Sequence, residues 1–415
     1  MKLILKNIKG LVQAEITSPS VRKGSEMSQL NVIKNAWLEV ENGKFSNFGS
    51  MDDFPNWIDS SVIKVINCEG RYVFPAWVDS HTHIVYAGNR EGEFVDRIKG
   101  LSYAEIAKKG GGILNSAAKL ATASEEALFE QAWGRLDSIM TTGTGAVEIK
   151  SGYGLSIEAE MKMLRVVRSL NEKHPLPIKA TFLGAHAVPE QYKDNHKAYV
   201  DLVVNEMIPA VAAEQLADYI DIFCEDGYFD LEDTNRVLEA GVKHGLKPKT
   251  HVNQFKVLGG VKASVDHGAI SVDHLEELED QDITALQGST TMPVGLPLCS
   301  LFLSIPYTPG RRIIDAGLPL ALATDFNPGS SPSGNMSLAV ALGCIKMKLT
   351  PEESINAATI NAAASLEILD THGSISPGKT ASFFITKPMP SLNFLPYSFG
   401  ENLIESMYVD GIKRV

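Results

Sequence analysis

Between about residues 72 and 370, short apolar runs of strand length alternate with longer stretches of helical spacing, and this alternation leaves few architectures open. Eight runs read as buried strands: Val73–Asp79, Gly145–Lys150, Ile178–Ala185, Tyr219–Cys224, Lys247–His251, Ala269–Asp273, Ser289–Met292 and Leu318–Thr324. Helix-like stretches such as Ser156–Asn171, Ala198–Leu216 and Glu232–His244 separate most of them. Strands joined through helices lie parallel. Eight such units over about 300 residues predict an α/β fold of the (β/α)8 TIM-barrel type.

The flanks read differently. Leu3–Leu5, Ala36–Val40 and Val62–Ile66 are short β-like runs, with Asn42-Gly43 as a hairpin turn. Ser382–Thr386 and Ser406–Val409 behave alike, the second followed by Asp410-Gly411. The expected division is a small β domain from residues 1–70 and 371–415, and a barrel from 71–370.

Charge narrows the partners. The 50 acidic residues exceed the 38 basic ones, for a net charge of −12, which argues against a nucleic-acid surface. The four cysteines are widely spaced with no C-x-x-C pair, which fits a reducing compartment. Lys6 interrupts the first apolar run too early for a signal peptide, and no stretch approaches the roughly 20 apolar residues of a membrane span. The expectation is a cytoplasmic protein acting on a small molecule, with no nucleic-acid or membrane partner.

In such barrels, chemistry gathers at the carboxyl ends of the strands. Those ends carry His81 and His83, Lys150-Ser151-Gly152-Tyr153, His186, Cys224-Glu225, His251, His274 and Asp325. Five of the ten histidines fall there, which a random scatter seldom does. Alternate residues of a strand share a face, so His81 and His83 project together into the barrel mouth. Imidazole nitrogens suit a borderline metal ion, and His251 and Asp325 are the candidates for the third and fourth ligands.

Phe74-Pro75-Ala76-Trp77-Val78-Asp79-Ser80-His81-Thr82-His83 resembles the opening barrel strand of the amidohydrolase superfamily. Four further segments narrow the likeness: 148–155 (EIKSGYGL), 182–189 (FLGAHAVP), 273–276 (DHLE) and 323–329 (ATDFNPG). With Tyr103 and the Gly110-Gly111-Gly112 run, they resemble the imidazolonepropionase family of histidine degradation over nearly the whole chain. The resemblance implies a barrel with a small β-sandwich built from both termini. It also implies one zinc or iron ion held by His81, His83, His251 and Asp325, and hydrolytic opening of 4-imidazolone-5-propanoate to N-formimidoyl-L-glutamate. A homodimer is the assembly the family suggests.

The resemblance and the chemistry together assign the expected roles. The metal would supply hydroxide near neutral pH. His274 would be the general base or proton shuttle, and Asp325 would also hydrogen-bond the water. His186 would donate to the ring carbonyl oxygen. Arg90, with Tyr153, would bind the propanoate. Asn327, Gly329 and Ser330 would surround the formimidoyl end, and Gln254 would contact the ring.

Three alternatives stand against this reading. Many deaminases of the superfamily carry a glutamate three residues after the corresponding histidine; Gln254 holds that place here and cannot exchange a proton. Two-metal relatives need a bridging lysine after the fourth strand, where Cys224-Glu225 stand. A non-catalytic scaffold would have lost the ligands that this chain keeps. Zinc versus iron stays open, as do direct roles for Lys150 and Glu225.

Overall fold

The computed structural model describes residues 2–55, 63–101, 105 and 111–415; Tyr103 and Gly110, which contribute to the resemblance, lie outside the described residues. Eight parallel strands stand side by side in sequence order. They are β1 (Trp77–Asp79), β2 (Thr144–Lys150), β3 (Ile178–Ala185), β4 (Tyr219–Cys224), β5 (Lys247–Val252), β6 (Ser271–His274), β7 (Met292–Gly295) and β8 (Ala321–Leu322). The row closes on itself: Asp325 N donates to His81 O at 3.0 Å, and His83 N to Phe326 O at 2.9 Å. The α/β barrel read from the alternation is therefore the fold.

Three strands depart furthest from the expected limits, each for a local reason. The first run splits at Ala76. Tyr72–Pro75 pairs antiparallel with Phe383–Thr386 in a separate sheet, and Trp77 enters the barrel by donating to Gly143 O at 2.9 Å. Gly145 permits that crossover, because a Cβ there would stand 2.3 Å from that of Ala76. The seventh strand starts at Met292, where the reading had ended it; Pro293 lacks an N–H and looks like a terminator, yet it keeps its place beside Val272 in the ladder. The eighth stops at Leu322. Thr324 then gives its N–H to the Asp79 carboxylate at 3.0 Å instead of a neighbouring strand.

The two termini together build one mixed eight-stranded sheet. Lys2–Val12 pairs on one side with Val32–Glu41, and on the other first with Lys64–Asn67 and then with Tyr72–Pro75. Both two-residue hairpins have the left-handed backbone of a type I′ turn: Asn42 and Gly43 at φ 51° and 78°, Asp410 and Gly411 at 52° and 70°. The sheet wraps its own core of Leu3, Leu5, Ile8, Leu11, Leu38, Phe45 and Phe383. Among the described residues, no helix is long and apolar enough to cross a membrane.

Candidate metal centre and active site

The barrel interior is charged. Glu148, Lys150, Asp221, Lys249 and Asp273 all lie on inward positions of β2, β4, β5 and β6 and are fully buried. Lys150 Nζ donates to Glu148 at 2.9 Å and Asp221 at 2.8 Å, and stands 3.5 Å from Asp273; Lys249 Nζ donates to the other Glu148 oxygen at 2.7 Å. Two ammonium groups thus face three carboxylates. Buried charge survives only when paired this closely, and the excess here is negative.

Two of those carboxylates brace histidines at the mouth. Asp273 accepts from His81 Nδ1 at 2.6 Å, and Asp221 accepts from His251 Nδ1 at 2.9 Å. Each brace puts the proton on Nδ1 and leaves the Nε2 lone pair facing inward. His81 Nε2 is buried without a hydrogen-bond partner among the described residues. His251 Nε2 faces His83 Nε2 at 3.4 Å, and Asp325 Oδ1 lies 3.6 Å from His81 Nε2 and 3.5 Å from His83 Nε2. Burial, Lys150 and neighbouring imidazoles hold His81 well below its ordinary pKa; burial and His186 do the same for His83. His81, His83 and Asp325 each bring one ligand atom within 4.8 Å of the others, and so do His81, His251 and His274. Imidazoles and a carboxylate meeting around His81 over a negative barrel suit a divalent cation of zinc or iron type, and the four residues named from the sequence all stand in this cluster.

His274, at the end of β6, also contacts this group, its ring centroid 5.3 Å from that of His251. Burial disfavours its charged form, but Glu276, 3.3 Å from Nδ1, and then Asp325 and Asp273 outweigh burial and raise its pKa. Its backbone is left-handed, φ 88°, as are those of Leu275 and Asp325 at 62° and 56°. Side chains other than glycine adopt this region only when their surroundings hold them there, and such sites cluster at functional positions.

Above the histidines opens a cavity of about 540 Å³ lined by Arg90, Tyr153, His186, Gln254, Asn327, Gly329 and Ser330, so every expected substrate residue reaches one space. His186 Nδ1 donates to Gly152 O at 3.0 Å. Burial and then His251 depress its pKa to about 3, so the ring is neutral and Nε2 carries no proton. In that state its free nitrogen is an acceptor, whereas the expected donor role requires the doubly protonated ring. Burial keeps the Tyr153 phenol protonated and able to donate. Arg90 is tied to Glu93 through Nε at 2.9 Å and Nη2 at 2.6 Å, while a methyl on Gly329 would stand 2.1 Å from its Nη1. Asn327, besides lining this space, has a structural part. Its amide donates to Asp325 O and Ser330 Oγ and accepts from the backbone of Gly329 and Ser330, so it shapes the loop.

Several participants escaped the sequence reading. Asp221, Asp273 and Glu276 brace histidines, and Arg97 brings a second guanidinium to the Arg90 end while donating to Gly329 O at 3.2 Å. The available signal was charge inside apolar strand runs, as in Tyr219-Ile220-Asp221-Ile222-Phe223.

Comparison with known proteins adds an independent line. The model of the amidohydrolase family matches residues 72–411. The imidazolonepropionase of Christiangramia forsetii is 60% identical over 411 residues, covering 99% of each chain. That of Flavobacterium johnsoniae is 57% identical with the same coverage. That of Clostridium tetani is 40% identical over 94% of this chain and 92% of its own. Among solved structures, guanine deaminase of E. coli superposes with a TM-score of 0.75 at 14% identity, covering 100% of this chain and 98% of its own. A triazine hydrolase variant gives 0.74 at 15% identity over 99% and 94%. At those identities, the two structures speak to the fold alone.

Proposed function

The chain belongs to the amidohydrolase family and, within it, to the imidazolonepropionases, and on that premise we propose how its cleft opens 4-imidazolone-5-propanoate to N-formimidoyl-L-glutamate. It is a hydrolase acting on a C–N bond of a cyclic amide. The family is metal-dependent, and His81, His83, His251 and Asp325 would hold one zinc or iron ion. Such an ion, when bound, lowers the pKa of water and polarises the carbonyl under attack. The observation that carries this reading is the bracing of His81 and His251 by Asp273 and Asp221, which aims two Nε2 lone pairs at one point.

The other groups divide the remaining work. His274, with Glu276 behind its Nδ1, takes a proton from the attacking water at its other nitrogen. It returns that proton to the ring nitrogen as the C–N bond breaks. Asp325 accepts a hydrogen bond from the same water. Neutral His186 accepts from a ring N–H at Nε2 and orients the substrate. Arg90 and the Tyr153 phenol bind the propanoate, with Arg97 adding positive charge at that end. Gly329 leaves room for Arg90, Asn327 fixes the loop that presents Ser330, and Gln254 contacts the ring.

With this reading go residues 71–370 as the catalytic barrel and 1–70 with 371–415 as the accessory β domain. A cytoplasmic homodimer, without nucleic-acid or membrane partners, completes the proposal. The test is elemental analysis followed by ultraviolet monitoring of imidazolone consumption. One tightly held metal equivalent and steady loss of imidazolone are expected. Absence of imidazolone turnover, or ammonia release from an aminated nucleobase, overturns the assignment.

A further inference from the structure

Beside the metal centre, one carboxylate oxygen and one thiol are left over by this chemistry. Glu276 is 4% exposed, and its Oε1 is engaged by His274 Nδ1 and Ser300 Oγ, both at 3.3 Å. Its Oε2 is buried with no partner among the described residues. A buried carboxylate oxygen normally has a donor or a cation, because desolvating it unpaired costs several kcal/mol, roughly. Cys299, fully buried, in no disulfide and accepting from Gln254 Nε2 at 3.4 Å, completes the group. One ligand atom each from His274, Glu276 and Cys299 lies within 4.8 Å of the others. Tetrahedral coordination needs donors about 3.5 Å apart, so small side-chain adjustments close the gap.

We propose that His274, Glu276 and Cys299 form a second cation site, softer than the first, whose occupation by a thiophilic divalent ion such as cadmium or excess zinc stops turnover. The donor set gives the selectivity. Thiolate, imidazole and carboxylate prefer zinc and cadmium over magnesium or calcium. Among the described residues three protein donors meet here, so a water fills the fourth position and the affinity stays below that of the first centre. Capture replaces the thiol proton, which leaves to solvent, with the ion. Inhibition follows because the ion takes the His274 nitrogen that faces Glu276 and fixes the ring as a ligand. Only this inhibitory half rests on the reading of His274 as the base.

The experiment uses the full chain carrying one metal equivalent, with turnover recorded first, and then adds cadmium chloride. The first centre offers no sulfur, so the intensity of the ultraviolet thiolate-to-cadmium charge-transfer band lost on replacing Cys299, with Cys68, Cys224 and Cys344 unchanged, reports the second site. Expected are one further equivalent, growth of that band, and loss of at least about tenfold in turnover with the same midpoint. Cys299→Ser should diminish the band. Glu276→Gln, which keeps the thiol, should move the midpoint upward by about tenfold or more. Each variant is referred to its own turnover before cadmium. Absence of a second equivalent, or a band undiminished in Cys299→Ser, overturns the site. A full band with unchanged turnover overturns the inhibitory half and the role of His274, while inactivity before cadmium bears on the first reading alone.

Discussion

Single atoms decide the site. A methyl on Gly329 would occupy the space of Arg90 Nη1, so Gly329→Ala should push the guanidinium away from the substrate carboxylate. The Michaelis constant should rise by about tenfold or more, roughly 1.4 kcal/mol, with metal content unchanged; steady-state kinetics and elemental analysis check both. Arg90→Gln should move the same constant in the same direction, and a normal value would place the carboxylate elsewhere. His274→Ala should retain the first metal yet lower kcat by about 10²–10⁴-fold. Residues of this kind were legible because strand ends put His81, His83, His251, His274 and Asp325 into one mouth. The hydrogen-bond sense of His186 was not. It depends on the Gly152 carbonyl, a backbone group whose direction is set by a left-handed glycine at φ 107°.

Among elements, β2 does more than carry a loop. Its Lys150 neutralises Asp221 and Asp273, the carboxylates that orient His251 and His81. Lys150→Met leaves those charges buried and less compensated, which should cost about 3–5 kcal/mol of stability. It should also weaken metal retention, since braces of this kind tune affinity by about 10–100-fold. Denaturant titration of the metal-free protein and chelator competition on the loaded protein separate the two effects. Strand existence could be read from apolar runs, but strand limits could not. They were set by partners distant in sequence, Phe383 beside Pro75 and the Asp79 carboxylate capping Thr324.

At the level of the whole molecule, the junction between barrel and terminal sheet contains a titrating group. His372 follows Thr371, whose carbonyl accepts from Thr380 N, and His372 O accepts from Lys379 Nζ at 3.0 Å. Burial, helped by Lys379, holds its imidazole down to about 4 in the folded chain, against roughly 6.5 when unfolded. Between those values, the unfolded chain binds a proton that the folded chain does not. Its contribution to stability is complete above about pH 6.5 and is lost as pH falls towards 4. His372→Asn should therefore flatten part of the decline in Tm across that window, as followed by circular dichroism.

The crossing at Ala76 also governs the order in which the protein can assemble. Residues 72–75 leave the ribosome early, but Phe383–Thr386, which cover one of their edges, follow roughly 300 residues later. Until then, Val73 and Phe74 offer an open, apolar strand edge to any passing chain. Growth temperature and chaperone supply should accordingly govern the yield of this protein more than the intrinsic stability of its barrel.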